Sequence, residues 1–291
     1  MKVYINIPAN AVAGGVESLY QLADAVNNIG GESIILFDNN TSNPIPEKYS
    51  HYNVKYSFEV EDTPENWIIY PEVWTERVNW FKHMKTAIWW LSVDNNQGKF
   101  KNFNDLNITH FYQSYYALVY LLQNQSQHYL PLFDYIQPKY ITAKYDISQK
   151  QNIVCYNPVK GKHITDRIIS LNPDITFIPL VNMTEDQIIE TLKLSKIYID
   201  FGNHPGRDRI PREAAILGNC IITGFNGSSM FYNDMPINNQ YKFENVDQIG
   251  NLIKNCFDNF ETHLNDFSLY RSNIVNQKEQ LYNLCKQYFL S

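Results

Sequence analysis

Asp200, His204, Arg207, Arg209 and Glu213 crowd into one run, SKIYIDFGNHPGRDRIPREAAILGNCIIT, at residues 195–223. An apolar strand ending in an acidic residue leads into a polar loop with a glycine and two arginines. A helix opened by Pro211 follows, then a stop at Gly218 and another strand. Such an order puts Asp200, the arginines and Glu213 at the carboxyl end of a parallel sheet, where open α/β sheets bind their ligands. Near the N-terminus, NAVAGGVES (residues 10–18) joins an apolar strand to a helix. The pair Gly14 and Gly15 lets backbone N–H groups approach an anion such as a phosphate at the helix start. A tight strand-to-helix turn of any α/β protein would use the same glycines. No GxGxxG occurs, which argues against a dinucleotide site.

The elements that must position these residues alternate. Strand character recurs at 3–7, 33–37, 67–70, 86–91, 110–112, 129–132, 152–156, 176–179, 197–201 and 220–223. Helical periodicity falls between several of them, at 16–29, 164–171, 185–193 and 211–217. Alternation of this kind predicts parallel sheets covered on both faces. In the first helix Val16, Leu19, Tyr20, Ala23, Val26 and Asn27 share a face, which leaves Glu17, Gln21 and Asp24 outward. The stretch 248–290 has one glycine, no proline and apolar residues at helical spacing, so the chain is expected to end in helices. Between Leu132 and Gln151 the pattern lapses into a polar segment with Pro131 just before it and Pro138 within it, read as a crossing between domains.

A chain of 291 residues fits two domains, and 44% hydrophobic residues with 16 Phe, 21 Tyr and 5 Trp suffice to bury cores. The formal net charge of −6 gives no global footprint for a polyanion, which excludes nucleic acid as a partner and leaves phosphate to local devices. Cys155, Cys220, Cys256 and Cys285 lie far apart without CxxC or a nearby His pair, so they read as free thiols of a reduced compartment. The start MKVYINIPAN reads as a strand rather than a signal peptide, and no apolar run is long enough to span a bilayer. A cytoplasmic protein is expected, with peripheral membrane contact left open.

The run from Ser195 to Thr223 resembles the donor-binding segment of GT-B glycosyltransferases of the retaining, glycogen-synthase-like type (glycosyltransferase family 4, group 1). There a strand leads to an acidic-Gly-Phe-Gly loop and a Pro-x-x-Glu-Ala helix. The resemblance implies that Glu213 holds the nucleotide ribose and that Asp200 lies beside the donor sugar. Gly14-Gly15-Val16 looks like the family's N-terminal glycine loop. NIVCYNPVKGK (residues 152–162) looks like the first strand of its second domain, after which Lys160 and Lys162 would bind the diphosphate. Twelve residues separate Asp200 from Glu213, a longer spacing than the family's, and Arg207 or Arg209 in the added segment could replace an arginine missing from 152–162. Gly202 would lie against the donor.

In the first half, WIIYPEVWTE and IWWLSVDNN are strands ending in polar residues. By resemblance this is the acceptor half, and Glu72 and Asp94 become candidate acceptor-orienting or base groups, against plain strand-end solvation. The histidine often found there is replaced by Pro71-Glu72. Trp74, Trp80, Trp89 and Trp90 could form a sugar platform, although Trp89 and Trp90, inside a strand, read better as core. His110 reads as structural, whereas His163 could cap a helix or touch phosphate.

The expected fold class is therefore α/β, with two facing Rossmann-like domains (GT-B), a cleft between them and a helical C-terminus. Residues 1–140 would form the acceptor-side domain and 141–291 the nucleotide-sugar domain, with a last helix free to return to the first. The expected activity is transfer of a hexose-type sugar from a nucleotide sugar such as a UDP- or GDP-sugar to a glycan or other hydroxyl acceptor, in polysaccharide or glycoconjugate synthesis. By resemblance the transfer is retaining and needs no metal or other cofactor. A sugar-nucleotide or glycan-binding protein that has lost transfer is the alternative, and a sugar-nucleotide epimerase a further one.

Overall fold

The computed structural model describes residues 1–39 and 41–290. Among the described residues, ten strands are arranged in two wholly parallel sheets. In chain order they are β1 (Lys2–Ile7), β2 (Glu32–Phe37), β3 (Trp67–Pro71), β4 (Lys85–Trp90), β5 (Ile108–Tyr112), β6 (Tyr129–Pro131), β7 (Gln151–Tyr156), β8 (Thr176–Pro179), β9 (Ser195–Asp200) and β10 (Cys220–Thr223). The helices are α1 (Gly14–Asn28), α2 (Tyr115–Gln123), α3 (Pro138–Thr142), α4 (Lys162–Leu171), α5 (Glu185–Leu194), α6 (Arg209–Ile216), α7 (Ile249–Asp258), α8 (Phe260–Asn265), α9 (Ser268–Val275) and α10 (Gln277–Phe289). The alternating elements and the helical C-terminus follow the hydrophobic periods of the sequence.

Two compact units divide the chain: Met1–Tyr135 with Pro205–Arg207 and residues 277–290, and Ile136–His204 with Asp208–Asn276. In the first, six strands lie in the order β2-β1-β3-β4-β5-β6. Val3, Ile5, Ile69, Ala87 and Trp89 pack on one side of this sheet, and Tyr4, Ile68, Tyr70, Ile88 and Trp90 on the other. All are buried, which is the condition for a parallel sheet covered on both faces. The crossing from β1 to β2 runs through α1. Because β3 then pairs on the far side of β1, the chain reverses direction across the sheet between β1 and β3.

Helix α1 is buried on more sides than its periodicity implies. Glu17, Gln21 and Asp24, expected outward, are buried. Tyr52 donates its hydroxyl to Glu17 (2.9 Å), Gln21 Nε2 donates to the Tyr135 carbonyl (2.8 Å), and Asp24 accepts from Asn53 N (2.8 Å) and the Tyr282 hydroxyl (3.2 Å). Tyr282 belongs to α10, which packs along α1. The last helix thus covers a surface that would otherwise be polar, and Phe289 stacks edge-on against Trp67 with ring centroids 5.7 Å apart.

The second unit carries a four-stranded sheet in the order β10-β9-β7-β8. Its core joins Val154, Cys155, Ile197, Tyr198, Ile199 and Ile221 of the strands to Ile168, Leu192, Ala214 and Ile253 of the flanking helices. Helix α5 begins with a reciprocal cap, Thr184 accepting from Gln187 N while the Gln187 side chain accepts from Thr184 N. The polar segment before β7 contains the short helix α3 and a single 3-10 turn at Ile147–Gln149. Strand β8 follows β7 on one side and β9 pairs on the other, so this sheet reverses between β7 and β9.

All four cysteines are buried and free. No helix of the described residues is long and apolar enough to cross a membrane.

Candidate functional site

Open parallel sheets bind ligands outside the carboxyl ends of the two strands that flank the point of reversal, because the loops there diverge and leave a crevice. In the second unit those strands are β7 and β9. Their following loops, 157–161 and 201–208, contain Lys160, Gly161, Asp200 at the strand end, Gly202, His204 and Asp208.

The two loops touch. A Cβ placed on Gly202 would stand 2.3 Å from the Lys160 Cβ, and one on Gly161 would stand 2.5 Å from the Phe201 carbonyl oxygen. Only glycine fits at either place. Gly161, at a left-handed φ of 62°, also forms the N-cap of α4, which no side chain caps. The start of a ten-residue helix thus faces the junction, with its partial positive charge available to an anion.

Charged groups surround this junction. Lys160 Nζ donates to Asp208 Oδ2 at 2.6 Å, and His204 Nδ1 lies 2.9 Å from the same oxygen. His204 Nε2 is 3.6 Å from Asp200 Oδ1, which also accepts from Gly202 N at 3.0 Å. The Tyr198 hydroxyl completes the set by donating to Asp200 Oδ2 at 2.9 Å. His204 is wholly buried, with a carboxylate oxygen beside each of its ring nitrogens. Burial alone would lower the imidazole's pKa, yet the contact with Asp208 and the charges of Asp200 and Asp208 outweigh it and raise the pKa above the ordinary value. Asp208 responds in the opposite sense. Its burial opposes ionisation, but His204 and Lys160 hold it below the usual carboxylate range.

Ligand atoms of Asp200, His204 and Asp208 lie within 4.8 Å of one another, close enough to suggest a cation site. The donor set argues otherwise. Both Asp200 oxygens already accept hydrogen bonds, and the Asp208 oxygen nearest the histidine receives an ammonium. The cluster is an internally compensated salt-bridge network.

Glu213 lies on α6 behind this network and is buried with Arg212, whose Nε donates to the Asp208 carbonyl at 3.2 Å. Arg209 opens the same helix. Lys162 pairs with Asp166 one turn along α4 and is exposed, as is His163. The structure therefore gathers Lys160, Asp200 and Gly202 closely, with Glu213 and Arg209 on the helix that follows.

Arg207 belongs to the first unit. Its backbone N donates to Gln113 Oε1 (3.3 Å), and its guanidinium sits 5.2 Å above the Phe133 ring. Gly206 beside it is fixed by contact, since a Cβ there would meet the Leu91 carbonyl oxygen at 1.9 Å.

The reversal point of the first unit, between β1 and β3, brings a second set together. Gly14 and Gly15 open α1, and both are exposed. Glu72 follows β3, but its carboxylate is buried, accepting from Leu91 N at 3.1 Å and Asn95 Nδ2 at 3.4 Å. Burial raises its pKa to about 7 against these hydrogen bonds. Asp94 is exposed and accepts from the Tyr116 hydroxyl at 3.2 Å. Trp89 and Trp90 are core residues, whereas Trp80 is exposed and Trp74 half-buried. The Arg77 guanidinium lies over both, 3.9 Å from the Trp74 ring centre and 4.8 Å from that of Trp80. Trp74 also lines a surface groove of about 660 Å³ with Glu76, Asn79, Lys99, Lys101 and Asn102. His110 is structural: its Nδ1 accepts from Trp90 Nε1 at 3.0 Å, and burial lowers its pKa to about 4.

Asp208 and Tyr198 had not been singled out from the sequence. Asp208 carried a signal, because an aspartate directly before the first turn of a helix is a common N-cap. Here its side chain turns to Lys160 and His204 instead of capping α6.

No family model matches the chain, and no curated protein matches it in sequence. Solved structures do match in shape. Anabaena Alr3699/HepE in complex with UDP superposes with a TM-score of 0.72 at 10% identity, over 99% of this chain and 99% of that one. Sucrose-phosphate synthase from Thermosynechococcus elongatus gives 0.64 at 11% identity, with 99% of each chain covered. T4 phage BGT in complex with UDP-glucose gives 0.58 at 10%, again over 99% of both. The chain has the GT-B glycosyltransferase fold. The network of Lys160, Asp200, His204 and Asp208 stands at the β7/β9 reversal point of this fold.

Proposed function

We propose that this chain is a glycosyltransferase that moves a sugar from a nucleotide-sugar donor to a hydroxyl acceptor. One observation carries the reading: Lys160, the uncapped start of α4 and the close-packed Gly161 and Gly202 converge at the β7/β9 reversal point. A cation, a helix N-terminus and backbone held close by glycines suit a diphosphate. The GT-B neighbours Alr3699/HepE and T4 phage BGT were solved with UDP or UDP-glucose.

In this reading Lys160 and Lys162 hold the diphosphate, Arg209 adds positive charge and Glu213 accepts from the ribose hydroxyls. Asp200 stands on the sugar side beside Gly202. Gly14 and Gly15, at the start of α1, remain donor-binding candidates in this reading. In the reaction the bond between the sugar's anomeric carbon and the diphosphate oxygen breaks, and the departing oxygen gains charge that fixed donors stabilise. The acceptor oxygen forms the new bond and passes its proton to a carboxylate base. Glu72 and Asp94 are the acceptor-side carboxylates, and the groove beside Trp74 offers an aromatic face and amides to a sugar. Retention of anomeric configuration and independence of metal are parts of the proposal, the lysines and the helix N-terminus doing what a divalent cation would do.

Thermal unfolding with UDP, GDP, dTDP, CMP and their sugars, in EDTA and in magnesium, tests the reading. A ligand at 100 times its dissociation constant adds about 2.7 kcal/mol. Selective stabilisation by one nucleoside diphosphate in EDTA is expected, followed by sugar release to an added acceptor. No shift with any nucleotide overturns the reading, and a shift without transfer under any acceptor identifies a binding protein on this fold.

A further inference from the structure

The buried histidine in the second unit has a geometry that nucleotide binding alone does not require. His204 stands between two carboxylates, Nδ1 at 2.9 Å from Asp208 and Nε2 at 3.6 Å from Asp200. Lys160 completes an alternating row, ammonium to Asp208 to imidazole to Asp200. The row cannot easily rearrange. The His204 carbonyl accepts from Ser228 N at 2.7 Å, and a Cβ on Gly227 would lie 2.1 Å from that carbonyl oxygen, so the backbone is clamped from behind. At the other end the Tyr198 hydroxyl and Gly202 N fix Asp200.

We propose that His204 is a positioning residue whose proton frees Lys160 for the donor diphosphate, so that donor binding is coupled to protonation of His204. The inference rests on the donor site proposed above. With His204 charged, Asp208 is shared by two cations, the row is neutral overall, and the Lys160 ammonium can turn part of its charge toward an incoming anion. With His204 neutral, Lys160 is the only cation of the row, Asp208 claims it, and the row carries a net negative charge that repels a diphosphate. Charges a few ångströms apart inside a protein interact by several kcal/mol, enough for one proton to decide anion affinity. The groups facing the imidazole are Asp200 at the end of β9, Asp208 before α6 and Lys160 after β7. Tyr198 acts on it through Asp200, Arg212 touches Asp208 through its carbonyl, and the turn at 227–230 contributes Ser228 without charge.

Linkage fixes the sign. A ligand that binds the protonated form takes up a proton, and its affinity falls as pH rises through the transition of His204. UDP-glucose is the probe, because its diphosphate is esterified at both ends and holds a constant charge over the range used. Calorimetric titration from pH 6 to 8.5, in buffers of different ionisation enthalpy, should show affinity falling toward about tenfold per pH unit above the transition, with proton uptake approaching one per UDP-glucose. His204→Gln should remove both. Should that variant fail to fold, Asp208→Asn should move the fall to lower pH, because it removes the imidazole's nearest counter-charge. A pH-independent affinity in the wild type, or an unchanged slope in His204→Gln, overturns the proposal.

A ligand-free measurement separates this idea from the donor reading. The ring-proton resonance of His204 should titrate at higher pH in Lys160→Gln than in the wild type, since the ammonium opposes protonation. If UDP-glucose fails to bind at every pH, the donor reading falls. An unmoved His204 titration in Lys160→Gln overturns the relay whatever the ligand result.

Discussion

Gly202 and Lys160 approach so closely that a single methyl group at residue 202 would stand 2.3 Å from the lysine Cβ and 3.1 Å from Asp200 Oδ1. Contact at this range concerns backbone-near atoms, so Lys160 cannot yield by rotating its distal chain. Gly202→Ala is expected to push the β7 and β9 loops apart, at a cost of about 1 to 3 kcal/mol. Thermal unfolding should register the loss, and nucleotide affinity should fall with it. An alanine variant as stable as the wild type would show that the loops can separate freely.

Lys160 and Glu213 are expected to fail differently. In the proposed donor site Lys160→Ala removes a diphosphate ligand, so UDP affinity should drop by about 10- to 100-fold, the range of a lost charge-assisted contact. Uridine affinity should hardly change. Glu213→Ala should weaken uridine and UDP alike, because the ribose is common to both. Equal losses of uridine and UDP in Lys160→Ala would remove the lysine from the diphosphate site.

The alternation of strand and helix was plain in the sequence because parallel strands buried on both faces must be short apolar runs. Ile197, Tyr198 and Ile199 of β9 show this, all fully buried and ended by Asp200. The outward assignment of Glu17, Gln21 and Asp24 failed for a physical reason. A helical period reports one apolar face, whereas α1 is covered on its polar face by α10, Tyr52 and Tyr135, whose hydroxyls and carbonyls satisfy that polarity. The same limit applied at the site. Asp200 and Glu213 lay in a legible motif, but the pairing of Asp208 with Lys160 spans 48 positions and arises only when β7 and β9 pair.

Glu72 is expected to make the first unit sensitive to pH. Burial raises its carboxyl from 4.5 to about 7, so the folded chain binds a proton between those values that the unfolded chain has released. Its contribution to stability is greatest at low pH and is lost as pH rises through about 7. Glu72→Gln can still accept from Leu91 N through its amide oxygen without burying a charge. Urea unfolding should therefore find the variant more stable than the wild type at pH 8, and nearly equal to it at pH 5. If Glu72 also serves as a base toward the acceptor, the stabilised variant will have lost turnover while keeping donor affinity. Equal stability at both pH values would show that the carboxylate is solvated in solution.

Lys150 tests the second unit with the opposite sign. Its ammonium is buried and donates to three carbonyls, Leu192 (3.0 Å), Ser195 (2.8 Å) and Leu217 (2.7 Å), tying the end of α5 and the start of β9 to the end of α6. Burial lowers its pKa from 10.5 to about 7. Between those values the unfolded chain carries the extra proton, so stability should climb as pH rises from about 7 toward 10. Lys150→Met fills the same space but takes the ammonium from the Leu217 carbonyl, while the Ser195 carbonyl keeps Asn219 Nδ2 at 2.7 Å; a buried carbonyl left without a donor costs about 1 to 3 kcal/mol. The variant should unfold at lower urea concentration at pH 7, and the slope of stability against pH above 7 should flatten. A wild-type curve already flat from pH 7 to 10 would mean that the three carbonyls hold the proton on Lys150 throughout. The lysine would then be a permanently charged brace, and only the loss of stability in Lys150→Met would remain.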